Sequence, residues 1–196
     1  MQRLKVFVVE DNAIELDGFI AMLKELDCLV VGSAANGKDA VELLTRQETE
    51  VDVILMDINL PKLNGLSAAQ QIGEKSDTPI IFITGYKPDR KLISETARNV
   101  YGYVQKPVGI DELEANLRIA YHQSQELKKT TQDLAKAKKN LEDRKLVEQA
   151  KGIIMRMNGC TEPEALAKLQ KRSRDENRKI SEVAKEIVLL ADKLRM

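Results

Sequence analysis

Over the first 107 residues, short apolar runs alternate with stretches of helical periodicity. Leu4–Val9 (LKVFVV) reads as a buried strand and runs directly into Glu10-Asp11-Asn12. Ile14, Leu16, Phe19, Ile20 and Leu23 then recur at near-helical spacing, behind Asn12 as N-cap. Cys28–Ser33 (CLVVGS) is a second apolar run, and Asn36-Gly37 separates it from a helix carrying Ala40, Val41, Leu43 and Leu44. The third run, Val53–Met56, stops abruptly at Asp57; a loop with Pro61, Asn64 and Gly65 then opens a helix to about Gly73. Thr78-Pro79 leads into Ile80–Ile83, which ends at Thr84-Gly85. A helix around Pro88–Arg98 and a short strand, Val100–Val104, bring the pattern to Gln105-Lys106-Pro107. Five strands alternating with helices predict an α/β domain with a parallel sheet covered on both faces. Right-handed crossovers and five such units favour the doubly wound, flavodoxin-like order.

The pattern then changes. From Ile110 to Lys151 there is neither proline nor glycine, which predicts one long helix starting near Asp111. Leu113, Ala120, Leu127, Leu134 and Leu141 repeat every seven residues, but Thr130 and Arg144 interrupt the seam, so a coiled coil is weakly specified. A solvated linker helix is the simpler alternative. Stronger periodicity returns at Leu146, Ala150, Ile153, Ile154 and Met157, ended by Asn158-Gly159. Thr161 with Glu164 reads as a capping box for a helix carrying Ala165, Leu166 and Leu169, with Pro163 in its first turn. Ile180, Val183, Ala184, Ile187, Val188, Ala191 and Leu194 form the last helix. The expected organisation is residues 1–121, a helical linker at 122–143, and a small all-α three-helix module at 144–196.

Charge supports this division. Residues 1–121 carry 13 Lys/Arg against 19 Asp/Glu, and residues 122–196 carry 18 against 12, so a net charge of zero hides an acidic front and a basic back. A basic module suggests a polyanionic partner. Aromatics are only 4% of the chain, which argues against stacking platforms for single-stranded nucleic acid. No run approaches the about 18 apolar residues of a membrane span, and the first residues already read as a strand, so neither membrane nor signal peptide is expected. Two distant cysteines, Cys28 and Cys160, fit reduced thiols and a cytoplasmic location. A single histidine, His122, removes most His-based catalysis and most zinc sites.

The polar residues that end the strands carry the candidate chemistry. Glu10 and Asp11 follow the first strand, Asp57 the third, Thr84 the fourth and Lys106 the fifth. Strands of a parallel sheet deliver their ends to one edge, so these side chains are expected to share a cleft. Taken singly, the acids could cap a helix, Thr84 sit in a turn and Lys106 make a surface ion pair. Together, three clustered carboxylates call for a cation, and oxygen ligands without His or Cys favour Mg²⁺ over zinc. Lys106 and Thr84 are equipped to hold phosphoryl oxygens, which makes Asp57 the candidate nucleophile for an aspartyl phosphate. No further catalytic constellation follows Pro107, so an enzymatic output is not expected.

On these residues, 1–121 resembles the receiver domain of two-component response regulators: the acid pair Glu10-Asp11, Asp57 in MDINLPKLNG, Thr84, and Lys106-Pro107. The resemblance implies phosphotransfer from a sensor histidine kinase onto Asp57. It also implies Mg²⁺ held by Asp11, Asp57, the Asn59 backbone carbonyl and, through water, Glu10; a cis Lys106-Pro107 peptide; and Tyr103 as aromatic switch partner of Thr84. Gly85 departs slightly from the pattern, where alanine is common.

The tail from Arg144 to Leu194 resembles the ANTAR output module of antitermination regulators. It does so through Glu148, the run Ala150-Lys151-Gly152-Ile153-Ile154-Met155, Glu164-Ala165, Leu169, Arg172, Ser181, Val183-Ala184 and Ile187-Val188. The resemblance implies binding to paired stem-loops of a nascent transcript and prevention of termination. Lys151, Arg156, Lys168, Lys171, Arg172, Arg174, Arg178 and Lys179 supply the basic patch, and Gly152, costly within a helix, suggests close approach by a nucleic-acid backbone or another helix. A homodimer promoted by phosphorylation would present two such modules. A DNA-binding response regulator with a helical output domain is the alternative, and a protein-binding tail a third possibility.

Overall fold

The computed structural model describes residues 3–46, 50–85 and 98–194. The first part contains β1 (Lys5–Val9), α1 (Ala13–Glu25), β2 (Leu29–Ala34), α2 (Gly37–Thr45), β3 (Val53–Asp57), α3 (Gly65–Gly73), β4 (Ile80–Thr84) and β5 (Val100–Gln105). A long helix, α4 (Ile110–Asn158), is followed by α5 (Glu162–Asp175) and α6 (Ile180–Leu194). The helix expected around Pro88–Arg98 lies, but for Arg98, outside the described residues. The chain divides into two compact units between Lys128 and Lys129, within α4.

All strand pairs in the first unit are parallel, and their order is β2-β1-β3-β4-β5. This is the flavodoxin-like order, with the chain reversing direction across the sheet next to β1 and β3. Side chains alternate between the two faces. Phe7, Val9, Ile54, Met56, Ile80 and Phe82 pack with Ala40 of α2 and Ala68, Ala69 and Ile72 of α3. Val6, Val8, Val53, Leu55, Ile81 and Ile83 pack with Phe19 and Leu23 of α1 and Leu113, Leu117 and Ala120 of α4. β3 and β4 are buried on both faces, which explains their unbroken apolar runs.

Asparagines start the helices around the sheet. Oδ1 of Asn12 accepts from the Ile14 N–H at 3.0 Å, that of Asn36 from Asp39 at 2.9 Å, and that of Asn64 from Ser67 at 2.8 Å. Gly65 is required by space, since a Cβ there would stand 2.2 Å from the Asp57 carbonyl oxygen. Two residues of the apolar stripes expected in α1 and α2 are exposed, Leu43 of α2 at 46% and Ile14 of α1. Ile14 is 84% exposed, because it stands nine positions before buried Leu23 and that offset turns it to the opposite side of α1.

In the second unit, Ala150 and Ile154 of α4, Ala165 and Leu169 of α5, and Val183 and Ala184 of α6 form a small core. Glu164 accepts from the Thr161 N–H at 2.8 Å, part of the capping box that starts α5. Met157, expected on the apolar face, is 71% exposed in the last turn of α4, while Met155 packs against the core. No helix among the described residues is long and apolar enough to cross a membrane.

Candidate functional site

The ends of β1, β3, β4 and β5 bring five predicted side chains to one edge of the sheet. Asp57 is the last residue of β3 and Thr84 the last of β4; Glu10 directly follows β1 and Lys106 directly follows β5. Glu10, Asp57 and Thr84 are buried, while Asp11 is exposed. One carboxylate oxygen from each of Glu10, Asp11 and Asp57 lies within 4.8 Å of the others.

Hydrogen bonds orient this cluster. Asp57 Oδ1 accepts from the Asn59 N–H at 2.9 Å, so the loop after β3 fixes one carboxylate oxygen and brings Asn59 beside it. Glu10 Oε1 accepts from the Asn12 N–H at 3.2 Å. The Lys106 ammonium donates to Asp57 Oδ2 at 2.6 Å and to Glu10 Oε2 at 3.0 Å, and forms a further ion pair with Glu15. The Lys106-Pro107 peptide is cis. Tyr103 on β5 is half-buried against the core that includes Phe82.

The electrostatics follow from burial. Loss of solvent pushes the Glu10 carboxyl above its ordinary value, against the pull of Lys106. Burial by itself would lower the Lys106 ammonium, but its bonds to Asp57, Glu15 and Glu10 outweigh that and hold it above the ordinary lysine value. One ammonium among these acids leaves excess negative charge. Three oxygen donors within reach of one point, with neither His nor Cys among them, fit a hard divalent cation such as Mg²⁺.

Glu15 was not among the residues singled out from the sequence. Its signal is its place four residues after Asp11, in the first turn of the helix that Asn12 caps, but only the fold shows that Lys106 reaches it.

In the helical module the structure separates the candidate RNA-binding residues into two groups. Lys151 is not a free surface cation: its side chain is 8% exposed and pairs with Glu148 at 2.8 Å and Glu162 at 2.6 Å, joining α4 to the start of α5. Arg172 and Arg178 share Glu176 and Glu186 in a four-membered ion cluster, at 2.5 Å for each Arg172 contact and 2.7 Å for each Arg178 contact. Arg156 and Arg174 are exposed. Among the described residues nothing lies within 4 Å of a would-be Gly152 Cβ, so their packing does not itself require glycine there. Gly152 lines an open groove of about 540 Å³ with Glu148, Gln149, Ile153 and Arg156 of α4 and Val188 and Ala191 of α6.

Comparison with known proteins finds two families along the chain. The family model for the response regulator receiver domain matches residues 6–118, and that for the ANTAR domain matches residues 135–188. The transcriptional regulatory protein PdtaR of Mycobacterium tuberculosis is 33% identical over 187 residues, which cover 94% of this chain and 89% of that protein. Among solved structures, the receiver domain of a sensor histidine kinase from Pseudomonas aeruginosa PAO1, with a magnesium ion coordinated in its active site cleft, is 32% identical with a TM-score of 0.53. The match covers 61% of this chain and 98% of that one. The receiver domain of a modulated diguanylate cyclase from Desulfovibrio desulfuricans G20 is 30% identical with a TM-score of 0.56, covering 63% of this chain and 98% of that one. The chain therefore belongs to the two-component response regulators, with a receiver domain followed by an ANTAR output domain.

Proposed function

We propose that the receiver accepts a phosphoryl group on Asp57 from a sensor histidine kinase, and that this controls RNA binding and transcription antitermination by the ANTAR module. The observation that carries the first half is the convergence of Glu10, Asp11 and Lys106 on Asp57. Asp57 Oδ attacks phosphorus, the bond from phosphorus to the donor nitrogen breaks, and the histidine leaves with the electron pair. Glu10, Asp11, Asp57 and the Asn59 backbone carbonyl would hold Mg²⁺, which supplies charge screening for the incoming phosphoryl oxygens. Lys106 then donates to one phosphoryl oxygen and Thr84 to another. Recruitment of Thr84 draws Tyr103 inward and alters the β4–β5 side of the domain.

For the output half, support comes from the ANTAR match and the exposed Arg156 and Arg174 in a module with a positive balance. The target class is a paired stem-loop in a nascent transcript, held through phosphates and shape. Leu127, Leu134 and Leu141 are exposed at seven-residue spacing along α4, which supports a homodimer formed through this helix and favoured by phosphorylation.

Two measurements test the halves separately. Acetyl phosphate with Mg²⁺ should phosphorylate the wild-type chain and not Asp57→Asn; equal labelling of both would remove the phosphoacceptor assignment. Sequencing of RNA crosslinked to the full chain, with and without phosphorylation, should recover stem-loop leaders, and gel shifts that favour promoter DNA over such RNA would replace the antitermination reading with DNA binding.

A further inference from the structure

Lys106 is held by three carboxylates, and the third comes from a helix. Asp57 and Glu10 belong to the buried strand ends, whereas Glu15 lies in the first turn of α1 with its side chain 40% exposed. Glu15 is not part of the Glu10, Asp11 and Asp57 group that could hold a metal ion. Its position is set by the helix start, where its N–H donates to Asn12 Oδ1 at 3.4 Å. An ammonium has three N–H donors, and here three carboxylates surround it.

This arrangement bears on what happens at Asp57, given the phosphoacceptor reading above, on which the inference rests. Phosphorylation replaces the Asp57 carboxylate with an acyl phosphate, forming one P–O bond as the donor's bond to phosphorus breaks with its electron pair. A phosphoryl oxygen must then take a donor from Lys106. Glu15 competes for that ammonium. We propose that Glu15 is a positioning residue that restrains Lys106 toward α1, weakening the hold on a phosphoryl group at Asp57 and slowing its transfer. Because Glu15 is partly exposed, solvent and salt screen its effect, so the expected size is about three- to fivefold.

The test is calorimetric titration of the full-length chain with beryllofluoride in the presence of Mg²⁺, and with Mg²⁺ alone. Glu15→Gln keeps the shape of the side chain and removes its charge. It should bind beryllofluoride about three- to fivefold more tightly than wild type, while its affinity for Mg²⁺ alone stays within about twofold. In a Lys106→Met background the same substitution should have no effect on beryllofluoride binding, which a role independent of Lys106 would not produce. Equal or weaker binding by Glu15→Gln, or a gain that persists without Lys106, overturns the proposal. If the wild-type chain binds no beryllofluoride and takes no phosphoryl group from acetyl phosphate, the phosphoacceptor reading fails and the role of Glu15 with it.

Discussion

Lys106 Nζ and Asp57 Oδ2 stand 2.6 Å apart although 49 positions separate the two residues in the chain. The candidate phosphoacceptor thus has its counter-ion in place. Lys106→Met leaves Asp57, Glu10 and Glu15 without that cation. Since the Lys106 side chain is 21% exposed, the loss falls below that of a fully buried pair, at about 1–3 kcal/mol. Mg²⁺ should restore more stability to the variant than to the wild type. Urea unfolding with and without Mg²⁺ measures this, and equal stabilisation of both would mean that the cation and Lys106 do not share carboxylates.

Gly65→Ala should disturb the same site through the backbone. The new Cβ would meet the Asp57 carbonyl oxygen at 2.2 Å, so the loop after β3 must shift, at a cost of about 1–3 kcal/mol. Phosphorylation by acetyl phosphate should slow as Asp57 moves. Gly85→Ala, whose Cβ would meet nothing within 4 Å among the described residues, should change neither stability nor rate.

At Gly152 the expectation has the opposite sign for stability. Alanine fits the helix without a clash and should stabilise it by about 0.5–1 kcal/mol. Affinity for the RNA target should nonetheless fall, because the methyl group would enter the groove beside Arg156. Thermal melting and filter binding on the same variant decide the point; tighter melting with unchanged RNA affinity would leave the glycine without a role in recognition.

Salt dependence separates the basic residues. Arg156→Ala should lower the slope of log affinity against log salt by about 1, as expected for a lost phosphate contact. Lys151→Met should instead lower the melting temperature of the helical module, because its ammonium links Glu148 and Glu162. A drop of about 1 in slope with unchanged melting in Lys151→Met would return that residue to the RNA interface.

Acid should act first on the helical module. Lys151 holds Glu162 below the ordinary carboxylate value of 4.5, the Thr161 N–H does the same for Glu164, Arg172 for Glu176, and Arg178 for Glu186. A carboxyl depressed in the folded state adds stability above its unfolded value, and that stability is lost as pH falls through the folded one. Glu10 runs the other way, since burial raises it: its contribution is present below 4.5 and lost as pH rises. Hydrogen exchange of the full chain from pH 7 toward pH 3, corrected for intrinsic rates, should show α5 and α6 losing protection before β1. The effect is largest at low ionic strength, because these tail carboxyls are partly or largely solvent-exposed. Simultaneous loss would contradict the assignment.

The sequence by itself determined the receiver architecture and the identity of its edge residues. A parallel sheet with both faces covered demands apolar runs, and strand ends at one edge must be polar to meet water and ligand, so Glu10, Asp57, Thr84 and Lys106 were legible from position alone. Local chemistry also carried the Asn12 cap and the Thr161–Glu164 box, since capping acts over three residues, whereas Asn36 and Asn64 read only as turn residues and the structure makes them caps. The tertiary structure decided which charges face one another. Side-chain period does not reveal that Glu15 reaches Lys106, that Lys151 lies buried between Glu148 and Glu162, or that Arg172 and Arg178 are already matched by Glu176 and Glu186. Hydrophobic pattern is set by one face of one element, whereas an ion pair depends on where two elements place their ends, and only packing fixes that.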